Sequence, residues 1–145
     1  MCKLFIDANP ELWSSQTRSV RVDGVVTSVR LELYFWQVLD EIASRDKLTL
    51  PGMISKLYGE AIQASHDIGN FTSFLRVCAI RYLGLQISGD VPPAKNISIA
   101  SLNADTILDN ESHRYVLAGW TLLHNSEAVP KHSDKEIVNW LYSDS

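Results

Sequence analysis

Few residues in this chain have types and spacings that could do chemistry. Removal of Met1 would leave Cys2 as an N-terminal nucleophile, but enzymes of that kind continue with a glycine-rich segment, and Lys3-Leu4-Phe5 is not one. Cys78 sits in an apolar run and reads as a small core hydrophobe. His66, His113, His124 and His132 stand too far apart for a typical zinc motif, and no Cys-x-x-Cys is present. Gly52, Gly59, Gly69 and Gly84 are scattered, so neither a phosphate-binding loop nor a dinucleotide fingerprint forms, and Gly-x-Ser-x-Gly is absent. No catalytic residue, metal ligand or cofactor is expected, and the chain is not read as an enzyme. What remains is recognition chemistry. Arg30 carries a guanidinium that can donate two parallel hydrogen bonds, and Ser28, two residues before it, carries a hydroxyl that can donate or accept. A strand would set both on one face.

The elements that would position them follow from periodicity. Ser19-Val20-Arg21-Val22 and Ser28-Val29-Arg30-Leu31 alternate polar and apolar residues, as half-buried strands do. Asp23-Gly24 between them is a favoured pair for a tight turn, so a hairpin over 19–31 is the simplest local reading. The period then changes to 3.6: Phe35, Val38, Leu39 and Ile42 form one stripe of a first helix. Thr49 can cap a second helix with Pro51 in its first turn, carrying Met53, Ile54, Leu57, Tyr58, Ala61 and Ile62. Asn70 can cap a third, from Phe71 to Leu83, whose apolar residues lie on most sides, which predicts burial against more than one neighbour. Tyr34, Phe35, Trp36, Phe71, Phe74 and Tyr82 are expected in the core. Gly84 to Pro93 reads as a linker. Beyond it, Ser98 to Leu108 has no clear period, His113 to Leu123 is moderately helical, and Ser133 to Tyr142 opens with a capping box.

Composition narrows the class. With 145 residues, 46% hydrophobic and 21% charged, the chain can bury one core and carry an appendage. The net charge of −4 excludes a polycation that coats nucleic acid by bulk charge. That charge is unevenly spread. Residues 18–82 hold eight basic groups against seven acids, whereas residues 83–145 hold four against eight. No apolar run is long enough to span a membrane, no signal sequence opens the chain, and two cysteines suit a reducing compartment, so a cytoplasmic location is expected.

One alternating strand and two short helices cannot close a core alone. Strands from two chains could pair antiparallel and let four helices share one core, and such a two-stranded ribbon fits the major groove of DNA. Val29 and Leu31 would then face the helices, while Val26, Ser28 and Arg30 face outward. The order and ungapped spacing of Ser28-Val29-Arg30-Leu31, Trp36-Gln37-Val38-Leu39-Asp40-Glu41-Ile42-Ala43 and Leu48-Thr49-Leu50-Pro51-Gly52-Met53-Ile54-Ser55 resemble the ribbon-helix-helix family of DNA-binding proteins of the Arc, MetJ and CopG type. Ser19 to Leu83 is similar to a bacterial subfamily with an upstream strand and a third helix. The resemblance implies an α+β, mainly α fold: a homodimer with an intermolecular antiparallel two-stranded ribbon, a third buried helix and a C-terminal extension. It implies base reading by Val26, Ser28 and Arg30, and a phosphate clamp around Thr49 and Leu50. Arg18 and Arg21 on the upstream strand would extend the reading surface, unless that strand covers it. Pro51 removes one amide from the clamp, and Glu32 would repel phosphate.

The expected organisation is an N-terminal arm (1–17), a ribbon-helix-helix domain (18–83) and an acidic, partly helical extension (84–145). The expected role is sequence-specific recognition of double-stranded DNA and transcriptional regulation, without catalysis. The expected partners are a second copy, in a dimer or higher oligomer, and another protein bound through the extension, with no membrane involved. The alternative is a dimeric protein-interaction module that does not bind DNA.

Overall fold

A computed structural model describes residues 2–117 of the chain. The order of elements is α1 (Cys2–Ile6), β1 (Ser15–Val22), β2 (Val25–Glu32), α2 (Leu33–Arg45), α3 (Leu50–Gln63), α4 (Phe71–Ile87) and α5 (Ala104–Leu117), with short 3-10 turns at Pro10–Trp13 and Ile99–Ser101. The chain divides into a unit ending at Ser101 and a second beginning at Leu102. The second contributes α5, opened by Asn103, whose side chain accepts from the Thr106 amide. The expected helix at Ser133–Tyr142, with Trp120, Trp140, His124 and His132, lies outside the described residues.

The hairpin forms as its turn chemistry dictates. Asp23 (φ 51°) and Gly24 (φ 77°) both take positive φ, and Val22 pairs with Val25 across a two-residue turn. From there β1 and β2 run antiparallel out to Ser15 opposite Glu32. The expected hairpin therefore forms and extends back to Ser15, and β1 occupies one edge of β2 while the other edge has no strand beside it among the described residues. Val20 and Val22 of β1 and Val29 and Leu31 of β2 are buried under the helices. In α2 the buried apolar residues are Trp36, Val38, Leu39 and Ala43; Phe35 and Ile42 are only partly covered. Trp36 sets this phase: its indole N–H donates to the Gln16 carbonyl at 2.9 Å, and the ring is fully buried. Ile54 and Leu75, from α3 and α4, complete the centre.

The stretch read as a linker is bound down instead. α4 runs on to Ile87, and the segment after it lies back on α2 and α4. Arg45, only 4% exposed, donates from Nε to Ile97 O (2.9 Å), from Nη2 to Ala94 O (3.0 Å) and from Nη1 to Tyr82 Oη (3.3 Å). Asp46 accepts from Ser98 Oγ (2.5 Å) and from the Ala100 amide (3.2 Å). Glu41 accepts from Tyr82 Oη and Lys95 Nζ. Arg45→Ala leaves two carbonyls without their donor. Amides of residues 91–101 in that variant should exchange with deuterium faster than in the native chain, with β1 and β2 unchanged.

These carboxylates also make the fold acid-sensitive. The hydrogen bonds from Arg76 to Glu32 hold that carboxyl below its ordinary 4.5. Burial raises Glu41 and Asp46, but the hydrogen bonds they accept outweigh it, leaving them below their ordinary 4.5 and 3.8. A carboxyl depressed by folding stabilises the native state above its unfolded value and ceases to do so as pH falls through its folded value. The melting temperature should therefore hold near neutrality and drop below about pH 4. Glu32→Gln should reduce the slope of that drop.

Candidate nucleic-acid interface

Residues directly opposite in an antiparallel pair share a face. The register therefore sorts every strand residue. Arg30 lies opposite Thr17, Ser28 opposite Ser19, and Val26 opposite Arg21, all on the face turned away from the helices and all exposed. That face carries two guanidinium groups and four hydroxyls, from Ser15, Thr17, Ser19 and Ser28. Its one carboxylate is Glu32, at the end of β2, and Arg76 grips it with two hydrogen bonds of 3.0 and 3.1 Å. The charge expected to repel phosphate is thereby answered within the chain. Arg21 Nη1 donates to Gly24 O at 2.9 Å, which steadies the turn and holds the Arg21 head near the hairpin tip.

Of the residues singled out in the sequence, four meet on this surface: Val26, Ser28, Arg30 and Arg21. Arg18 falls on the other face. It lies opposite Val29, and its guanidinium sits 4.8 Å from the centroid of the Trp36 ring, as a cation over an aromatic lid. Ser15, Thr17 and Ser19, not singled out before as site residues, also lie on the outer face. The alternation of Ser19-Val20-Arg21-Val22 already carried that information. β1 lies edge to edge beside β2 and leaves the outer face uncovered within the described unit.

Thr49 and Leu50 stand at the start of α3, not on the strands. Thr49 caps the helix, its Oγ1 accepting from the Gly52 amide at 3.2 Å. Pro51 has no amide proton, so the first turn is left with the Leu50 N–H as its donor. The Leu50 side chain itself is buried. A Cβ on Gly52 would come within 2.9 Å of Thr49 Oγ1, which explains glycine at that helix position.

Elsewhere in the first unit, an apolar cavity of about 410 Å³ lies among α2, α3, α4 and the 91–100 segment, lined in part by Leu39, Met53, Leu57, Leu85 and Val91. Cys78 also lines it, and burial pushes its thiol up, away from the reactive thiolate. Among the described residues no three histidine, cysteine, aspartate or glutamate side chains gather as metal ligands, and no helix is long and apolar enough to cross a membrane.

Comparison with known proteins agrees with this geometry. The ribbon-helix-helix domain family matches residues 15–83, the span from the start of β1 into α4. Among solved structures, an uncharacterized protein from Bordetella pertussis Tohama I is 40% identical and superposes with a TM-score of 0.72 over 92% of this chain and 96% of that one. No curated protein matches. The hairpin turn, the inward valines and leucine of both strands, and the two helices that follow without a gap have one common explanation: this chain belongs to the ribbon-helix-helix family.

Proposed function

We propose that this protein is a homodimeric, sequence-specific DNA-binding regulator, acting without catalysis and reading the major groove from the outer face of β1 and β2. The observation that carries the reading is that face itself: Arg21 and Arg30 among Thr17, Ser19 and Ser28, open to solvent and free of any unanswered carboxylate. A family of DNA-binding regulators supports it.

The dimer uses the edge of β2 that β1 leaves unpaired. Two copies joined there form a four-stranded sheet, β1-β2-β2-β1. Strands lie about 4.8 Å apart, so its outer strands are separated by about 14 Å. The major groove is about 12 Å wide. The two central strands therefore enter the groove with Val26, Ser28 and Arg30, and the flanking β1 strands rest over the phosphate backbones with Arg21 and Ser19. Arg30 takes guanine as a bidentate partner, and Val26 offers an apolar contact to thymine methyl groups. The Leu50 amide and Thr49 at the start of α3 meet a flanking phosphate. Arg18 is omitted because it serves Trp36. Two-fold symmetry makes the preferred site a palindrome or a pair of half-sites.

Titration of the full chain against random-sequence duplex DNA over a salt series tests the reading. Binding should be measurable at low salt and weaken as salt rises, with a shallow slope because few phosphates are neutralised. No binding even at low salt would instead favour the dimeric protein-interaction module, for which the exposed Val25 and Val26 at the hairpin tip are the supporting feature.

A further inference from the structure

Protein interiors are close-packed, and voids larger than one water molecule are few. The space among α2, α3, α4 and the 91–100 segment departs from that rule. At about 410 Å³ it has room for on the order of a dozen water-sized groups of about 30 Å³ each. Its lining residues all precede Leu102, so the first unit forms it alone. Leu39, Met53, Leu57, Leu85 and Val91 supply apolar walls. Leu39 is fully buried, and Met53 and Val91 nearly so, which shows that the space reaches into the core rather than lying on the surface.

We propose that this cavity is a binding site for a small, uncharged, chiefly apolar molecule of about a dozen non-hydrogen atoms. The charged side chains that line it set the chemistry, because each is already engaged. Asp46 accepts from Ser98 Oγ and from the Ala100 amide. Lys56 and Glu60, both largely exposed at the mouth, pair with each other at 4.0 Å. Arg81 has a partner as well. The Cys78 thiol is kept protonated by its burial. Among the described lining residues no charge is left to answer an ionised group, which would lose its hydration there without compensation. Water fares little better, since it needs two to four polar partners and apolar walls offer none. Size and composition both match small-molecule sites, which span about 300–1,000 Å³ with apolar walls and a few polar groups.

The wall made by residues 91–100 is also held in place from behind. Arg45 donates to the Ala94 and Ile97 carbonyls, and Asp46 holds Ser98 and Ala100. A wall tied to α2 at several points does not collapse onto the void, so the site stands ready without a large rearrangement. No residue of β1 or β2 lines the cavity, and the inference therefore goes beyond the DNA-reading face and does not depend on it.

Met53 is one of two methionines, so 13C labelling of the methionine methyl groups puts a reporter on the cavity wall. The full chain is titrated with 1-octanol and, separately, with octanoate, which is of similar length but charged. 1-Octanol should shift the Met53 methyl signal saturably and slow amide exchange over residues 91–101. Octanoate should bind at least tenfold more weakly. Leu57→Trp and Cys78→Phe each put bulk into the cavity, and each should weaken 1-octanol binding at least tenfold. Circular dichroism shows which variants fold, and one folded variant suffices; if neither folds, exchange over 91–101 in the native chain decides. A Met53 signal that stays put up to the solubility limit of 1-octanol overturns the site, whether the space is closed or filled by the chain itself. So does a shift undiminished in a folded variant, or exchange over 91–101 that 1-octanol leaves unchanged. Octanoate that binds as tightly as 1-octanol overturns the assignment to an uncharged molecule.

Discussion

Arg30→Ala is expected to abolish the protein's preference for its own DNA site while leaving the fold intact. Arg30 is exposed, lies opposite Thr17, and carries no structural contact that its loss would leave unsatisfied. A bidentate arginine–guanine pair contributes about 1–3 kcal/mol of discrimination, and a dimer makes two, so the site preference should fall by about 2–6 kcal/mol. Binding to random duplex should fall far less, because one lost cation per chain removes about one phosphate-scale contact. The measurement is a competition between the preferred and scrambled duplexes with native and variant protein. Arg18→Ala is the control. Its guanidinium caps Trp36 on the other face, so that variant should keep its site preference and melt at a lower temperature.

Trp36→Ala should be the most destabilising single substitution in the first unit. The ring is fully buried, and its N–H satisfies the Gln16 carbonyl. Removing it empties the space between α2 and the hairpin, strands that carbonyl and leaves Arg18 over a void. Truncating a buried tryptophan costs about 3–5 kcal/mol, a large share of the roughly 5–15 kcal/mol that holds a domain folded. In a unit of this size the melting temperature should drop by about 15 °C or more. Trp36→Phe separates the two contributions. It keeps most of the burial and loses the hydrogen bond, so it should cost about 1–3 kcal/mol. Thermal melts of the three proteins at one pH give both numbers.

The parts of this fold that were legible in the sequence are those fixed by neighbouring residues. Asp23-Gly24 announces its turn because both positions need positive φ, and the alternation on either side dictates which residues face the helices. Thr49 and Asn70 announce their helices because a cap is a contact across three residues. Arg18 was legible too. It shares parity with Val20 and Val22, and only its charge argued for the outer face.

Other features depend on contacts between distant residues, and no local pattern carries them. The rotation of α2 is set by a hydrogen bond from Trp36 to Gln16, so Trp36 rather than Phe35 takes the centre. Glu32 reads as an obstacle to phosphate until Arg76, 44 residues on, is seen gripping it. Gly84 to Pro93 has the composition of a linker, yet Arg45 and Asp46 hold the segment beyond it through partners 49 to 54 residues away. β1 was visible as alternation from Ser19 onward, but its extension back to Ser15 was not.

The central claim is that duplex DNA lies against the outer face of β1 and β2. Hydrogen–deuterium exchange of the full chain with and without random-sequence duplex at low salt tests it most directly. DNA should protect residues 17–30 most strongly, with a smaller effect at Thr49 and Leu50, and should leave 91–101 unchanged. Strong binding with protection confined to the helices, and none on the two strands, would contradict it.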